Sequence, residues 1–111
     1  MAGWKSLGEF EHLLLLAVMR LGDDAYGVTI RREIEERTGR PVSLGSVYPT
    51  MDRLEERGYV TSAMSRPTRS RGGRSRRYFR LEPAGLAVLH RAREMIAAMW
   101  DGYESGAGVE S

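Results

Sequence analysis

The stretch VSLGSVYPTMDRLEERG, residues 42–58, sets the reading of the whole chain. Ser43 is a strong helix N-cap, and Gly58 suits the position just past a helix end. Between them Leu44, Val47, Met51 and Leu54 recur at the spacing of one helix face, which predicts a helix from about Leu44 to Arg57. The opposite face carries Ser46, Pro49, Thr50 and Arg53, which are short, uncharged or basic. Pro49 falls inside the helix, where it forfeits one backbone hydrogen bond. A helix stripped of bulk at its outer N-terminal end lets its backbone come close to another macromolecule. The acids Glu55 and Glu56 are kept to its far end.

Two helices are expected before this one. Leu7, Phe10, Leu13, Leu14, Ala17, Val18 and Leu21 form a stripe over residues 8–21, while Leu15 and Leu16 fall outside it. The middle of that helix is apolar nearly all round, as in helices buried on more than one side. In a chain of 111 residues, the second side has room for a partner subunit. Gly22-Asp23-Asp24 ends the first helix and offers Asp24 as N-cap of a second, from about Ala25 to Arg37, with Tyr26, Ile30 and Ile34 inward. Thr38-Gly39-Arg40-Pro41 stops it.

After Gly58 the periodicity changes. Residues 59–64 have weak strand character, and Arg77 to Leu81 form a clearer strand with Tyr78 and Phe79 on opposite faces. The polar segment between them contains Pro67, Gly72 and Gly73, so a β-hairpin with a long loop is the simplest reading. Pro83 then suits the first turn of a fourth helix. On that helix Val88, Ala92, Met95 and Met99 form a seam, widened by Leu89, Ile96, Trp100 and Tyr103.

The net charge of +2 conceals an asymmetry. Seven arginines and no acid lie between Arg66 and Arg80, leaving ten basic and fifteen acidic groups elsewhere, a balance of −5. A mildly acidic body thus carries one concentrated basic segment, the footprint expected of a nucleic-acid contact. The absence of cysteine excludes disulfides and thiolate metal sites. The longest apolar run, Leu13 to Met19, is too short to span a bilayer, and the first residues lack a secretory signal, so a cytoplasmic protein is expected. His12 and His90 have no neighbouring acid or nucleophile that spacing enforces, and there is no metal-ligand pattern, so neither an enzyme nor a cofactor is expected.

Three short helices followed by a basic hairpin make a mainly α fold, a winged helix-turn-helix with a C-terminal dimerisation helix. The expected divisions are a DNA-binding region over residues 1–82, a dimerisation helix over 83–104 and a flexible tail over 105–111. In this arrangement the third helix enters the major groove and the wing follows the neighbouring backbone or minor groove. Ser46 and Thr50 permit close approach to base edges, Ser43 can reach a phosphate, and Arg53 can contact a phosphate or pair with guanine. Arg69, Arg71, Arg74, Arg76 and Arg77 can neutralise phosphates, with Gly72 and Gly73 letting the loop turn tightly.

The strings LGDDAYG (21–27), VSLGSVYPTMDRLEERG (42–58) and GGRSRRYFRLEPAG (72–85) together resemble the PadR family of transcriptional regulators. The combination of Tyr48, Leu54 and Gly58 with Gly73-Arg74 and Tyr78 downstream is specific, whereas each piece alone is weak. The resemblance covers the chain from Leu7 to about Tyr103 and is to the short form with a single C-terminal helix. It implies a homodimer joined through the first and last helices, acting as a repressor on a pseudo-palindromic operator. It also implies double-stranded DNA contacts at Tyr48, its neighbours (Pro49 among them) and the wing arginines. Glu82 departs from the family pattern, which has Thr or Ser as cap of the last helix.

Plainer readings stand beside these. Tyr48 can be a core tyrosine, Arg53 can pair with a surface glutamate, and the arginines can form a solvated loop. Tyr26 and Gly27 either bring a helix N-terminus to a phosphate or only pack. Leu15, Met95, Ile96, Met99 and Trp100 line either a dimer seam or a pocket in which Trp100 stacks on a small aromatic effector. Rival functions are a protein-interaction winged helix and a ligand-sequestering protein.

Overall fold

The computed structural model describes residues 6–65 and 75–103. Its elements are α1 (Glu9–Leu21), a 3₁₀ turn (Gly22–Asp24), α2 (Gly27–Thr38), α3 (Leu44–Glu56), β1 (Val60–Met64), β2 (Arg77–Leu81) and α4 (Pro83–Trp100).

Local chemistry explains most boundaries. The Gly8 N–H donates to Glu11 Oε1 at 2.9 Å at the start of α1. At its end Gly22 takes a positive φ of 58° and returns its N–H to the Val18 carbonyl. Ser43 caps α3 as expected, its hydroxyl accepting from the Ser46 N–H at 3.2 Å. At the far end Gly58 has φ 82°, and the Tyr59 N–H reaches back to the Leu54 carbonyl at 3.0 Å.

The start of α2 differs from the sequence reading. Asp24 is not its cap; the helix begins at Gly27, with Tyr26 in extended conformation as the N-cap residue. Thr29 supplies the closure instead, accepting the Tyr26 N–H at 3.0 Å and giving its hydroxyl to the Asp24 carbonyl. Extended backbone at residues 25–26 has a second use: the Phe79 N–H donates to the Ala25 carbonyl at 2.8 Å, and Tyr26 bridges Tyr78. A strand contact here outweighs an earlier helix start.

β1 and β2 pair antiparallel, Val60 opposite Leu81 and Met64 opposite Arg77. Beyond that register the Ser65 N–H meets the Arg76 carbonyl at 2.7 Å, and the Arg76 N–H meets Ser65 Oγ at 2.9 Å. Phe79 faces inward and is buried, with Tyr78 on the opposite face as the alternation predicted. The core fills the space between α1, α2, α3 and the hairpin with Leu14, Leu15, Ile30, Ile34, Val47, Met51, Leu54, Val60 and Phe79, joined by Val88 and Leu89 from α4.

Glu82 precedes α4 without capping it through its side chain. Its N–H goes to the Tyr59 carbonyl at 2.9 Å, and its carboxylate accepts the Thr61 hydroxyl at 3.3 Å. Gly85 lies directly on the Tyr59 carbonyl, where a methyl group would collide with backbone. The hairpin and the first turn of α4 are therefore one packed unit.

Leu15 requires a correction. It is fully buried in the chain's own core, so it lines neither a seam nor a pocket on the surface. Leu16, one residue on, faces the groove between α1 and α4. A run of four leucines carries no phase of its own, and packing alone decides which one turns outward.

Candidate nucleic-acid interface

The outer face of α3 presents Ser43, Ser46, Pro49 and Arg53 to solvent. The missing side chain at Gly45 and the compact ring of Pro49 keep that face low. Arg53 donates from Nη2 to Thr50 Oγ1 at 3.1 Å. No carboxylate among the described residues lies within ion-pair distance of Arg53, so the glutamate pairing open to it in the sequence is not formed. Thr50 differs from its expected place on the open face. It is 6% exposed, lying beside Val47 and Leu54, and its hydroxyl is spent on the Ser46 carbonyl at 2.9 Å.

Tyr48 is half-buried, and its hydroxyl rests on Gly27 at the first turn of α2. The absence of a side chain at Gly27 is what lets the ring lie there. Tyr26, Gly27 and Tyr48 thus meet at the junction of α2 and α3.

Beside them stands Arg76, with its guanidinium carbon 4.3 Å over the Tyr26 ring and Nη1 3.5 Å from the Tyr78 hydroxyl. That hydroxyl holds the Arg76 pKa above its ordinary range. The Tyr26 and Tyr78 rings meet edge to face with centroids 5.3 Å apart. Tyr78, absent from the expected site, orients Arg76. Its alternation opposite Phe79 was the available signal.

Arg77 points to the other face of the strand. Its Nη1 lies 2.8 Å from Asp52 Oδ1, its Nη2 2.8 Å from Glu55 Oε1, and its Nε 3.1 Å from Ser62 Oγ. Burial works against its charge, but Asp52 and Glu55 outweigh that effect and raise its pKa. Arg69, Arg71 and Arg74 lie outside the described residues.

Away from this face, α4 and the turn after it leave Met95, Ile96, Met99, Trp100 and Tyr103 about half or more exposed, Met99 reaching 80%. An apolar groove of about 370 Å³ runs between α1 and α4, lined by His12, Leu16, Met19, Leu86, Leu89, His90, Arg93, Ile96 and Ala97. The fold thus brings His12 and His90 to one groove, although they lie on different helices. Ile96, Met99, Trp100 and Tyr103 line a second, shallower depression. Among the described residues no group of three potential metal ligands occurs, and no helix is long and apolar enough to cross a membrane.

Three helices, a two-stranded wing pinned to the start of α2, and a trailing helix define a winged helix-turn-helix protein. The particular family follows from sequence: residues 15–91 match the transcriptional regulator PadR-like family, and the chain belongs to it, a family of regulators rather than enzymes. It is 36% identical over 74 residues to the transcriptional regulator Rv3488 of Mycobacterium tuberculosis, covering 67% of this chain and 64% of that protein. Among solved structures, a PadR family transcriptional regulator from Eggerthella lenta superposes with a TM-score of 0.67 at 28% identity, covering 85% of this chain and 81% of that one. Bacillus subtilis PadR, solved in complex with operator DNA, shares the fold with a TM-score of 0.63 at 19% identity, over 74% of this chain and 46% of that one.

Proposed function

We propose that this chain is a homodimeric, sequence-specific double-stranded DNA-binding repressor acting in the cytoplasm on a pseudo-palindromic operator. The observation that carries the reading is the continuity of one face. Ser43, Ser46, Pro49 and Arg53 lie open on α3, Tyr48 and Tyr26 sit at its flank, and Arg76 is already aimed by two tyrosine rings. In the sequence the arginine-dense segment directly precedes Arg76. In this reading α3 enters the major groove, Arg53 reads or anchors there, and Arg76 with Arg69, Arg71 and Arg74 neutralises phosphates. Thr50 supports Arg53 rather than touching bases, and Tyr26 and Gly27 bring the α2 N-terminus to the backbone. The operator complex of Bacillus subtilis PadR supports the assignment by family.

The homodimer rests on the exposed apolar half of α4 and the groove against α1. A single soluble chain seldom leaves so continuous a patch uncovered, and a second copy offers the same surface in return. Two copies place their recognition helices ~34 Å apart, one turn of duplex. The depression at Trp100 suits a small aromatic effector stacked on the indole, which would alter that spacing. Quenching of Trp100 fluorescence by planar dyes, lost in Trp100→Ala, is the expected signature; quenching that survives would come from Trp4.

The DNA reading is tested by gel shift on the chain's own promoter across a salt series. Affinity is expected to fall steeply as salt rises, because neutralised phosphates release counterions. Flat affinity would contradict the wing assignment.

A further inference from the structure

We infer that Arg77 is a positioning residue for DNA binding: it pairs with two carboxylates on the recognition helix, offsetting part of their charge, and makes no phosphate contact of its own. This rests on the DNA-binding reading above. Successive residues of extended chain face opposite ways, so Arg77 at the start of β2 and Arg76 just before it point to opposite sides. Arg76 joins Tyr26 and Tyr78 on one side. Arg77 lies against α3 on the other, with its guanidinium carbon 4.8 Å over the Phe79 ring. Each of its three nitrogens has a partner, from Asp52 and Glu55 on α3 and Ser62 on β1. Ser62 in turn donates to Glu55 Oε1 at 2.8 Å, closing the network. The side chain is only 26% exposed.

Asp52 and Glu55 lie one turn apart on α3, and Asp52 directly precedes Arg53. Its side chain is 55% exposed, so its charge reaches the surface that meets phosphate. Left alone, the pair would repel the duplex and could draw Arg53 away from it. Arg77 supplies their counter-charge with a planar fork that grips both, a geometry lysine's single ammonium does not reproduce.

The test measures affinity for a labelled duplex that the wild-type protein enriches from a random-sequence pool, over a salt series, with circular dichroism as a check on folding. Arg77→Gln is expected to weaken binding about tenfold, because like charges are then uncovered at the interface. Repulsion between exposed charges is screened by salt, so this deficit should shrink as salt rises. Arg76→Gln, which removes a phosphate contact, should lower the salt slope by about 0.9. Changing Asp52→Asn and Glu55→Gln in the Arg77→Gln background should restore affinity by more than the same two changes raise it in the wild type, whereas a purely structural brace or a phosphate contact would give equal gains. If Arg77→Gln does not fold, Arg77→Lys serves: it should weaken binding, and the two carboxylate changes should again restore it by more than they raise the wild type. Unaltered affinity, or a folded triple variant that gains no more from the carboxylate changes than the wild type does, overturns the inference alone. A wild-type protein that enriches no duplex overturns the DNA reading and this inference with it.

Discussion

The Tyr48 hydroxyl occupies the space a side chain at Gly27 would need, so α3 and the first turn of α2 are fitted to each other through one ring. Gly27→Ala is therefore expected to destabilise the fold by about 1–3 kcal/mol, the usual cost of overpacking. Shortening the ring should relieve the clash, so Gly27→Ala in a Tyr48→Ala background should cost much less than in the wild type. Chemical denaturation of the four proteins in that cycle measures the difference, and additive losses would show that the ring is not what Gly27 accommodates.

Gly85 meets backbone rather than a side chain. The Tyr59 carbonyl it touches is held in place by the Glu82 N–H, so it cannot swing aside. Gly85→Ala should lower the melting temperature and loosen the docking of α4 on the hairpin, at a cost of about 1–3 kcal/mol. Hydrogen exchange should rise first at the start of α4, and unchanged protection there would refute the contact.

Ile96 borders both the groove against α1 and the depression at Trp100, and is 53% exposed in the single chain. Ile96→Glu should leave the helical content unchanged and convert a dimer to a monomer, since an unpaired carboxylate would be buried at the seam. Analytical ultracentrifugation decides it. A dimer that survives the substitution would move the interface elsewhere.

Glu33 ties α1 to α2 by accepting Arg20 at 2.8 Å and Arg37 at 2.6 Å on one oxygen. The hydrogen bonds from Arg20, then Arg37, hold its carboxyl below the ordinary glutamate range. A depressed folded-state pKa means that the stabilisation is complete above the unfolded value and is lost as pH falls through the folded one. The gap in melting temperature between wild type and Glu33→Gln should be small at neutral pH and close as pH drops below about 4. A gap that widens in acid would reverse the sign of the coupling.

The parts of the fold set by short-range chemistry were legible in the sequence. Ser43 and Gly58 bracket α3 through caps that need only neighbouring residues, and β2 matches its expected span of Arg77 to Leu81. Where tertiary contacts decide, the reading slipped. Asp24 is a sound cap by type, but pairing of residues 25–26 with β2 draws the chain straight and leaves the closure to Thr29. Leu15 and Leu16 look alike in a leucine run until the core chooses one. Thr50 belongs to the outer face by composition, yet it sits between Val47 and Leu54 and is buried. The arginines resisted separation most, because their density speaks for charge and not for partners. Asp52 and Glu55, which engage Arg77, lie over twenty residues away in sequence and come into reach only through the hairpin.

As proposed, this chain reads duplex DNA as a dimer through α3. The most direct measurement is to sequence the genomic fragments that the purified protein selects. The account predicts enrichment of a pseudo-palindrome whose half-sites lie roughly one helical turn apart, including a site near its own gene, with enrichment lost on Arg53→Ala combined with Arg76→Ala. Fragments with no shared motif, or a motif still selected by that double variant, would contradict it.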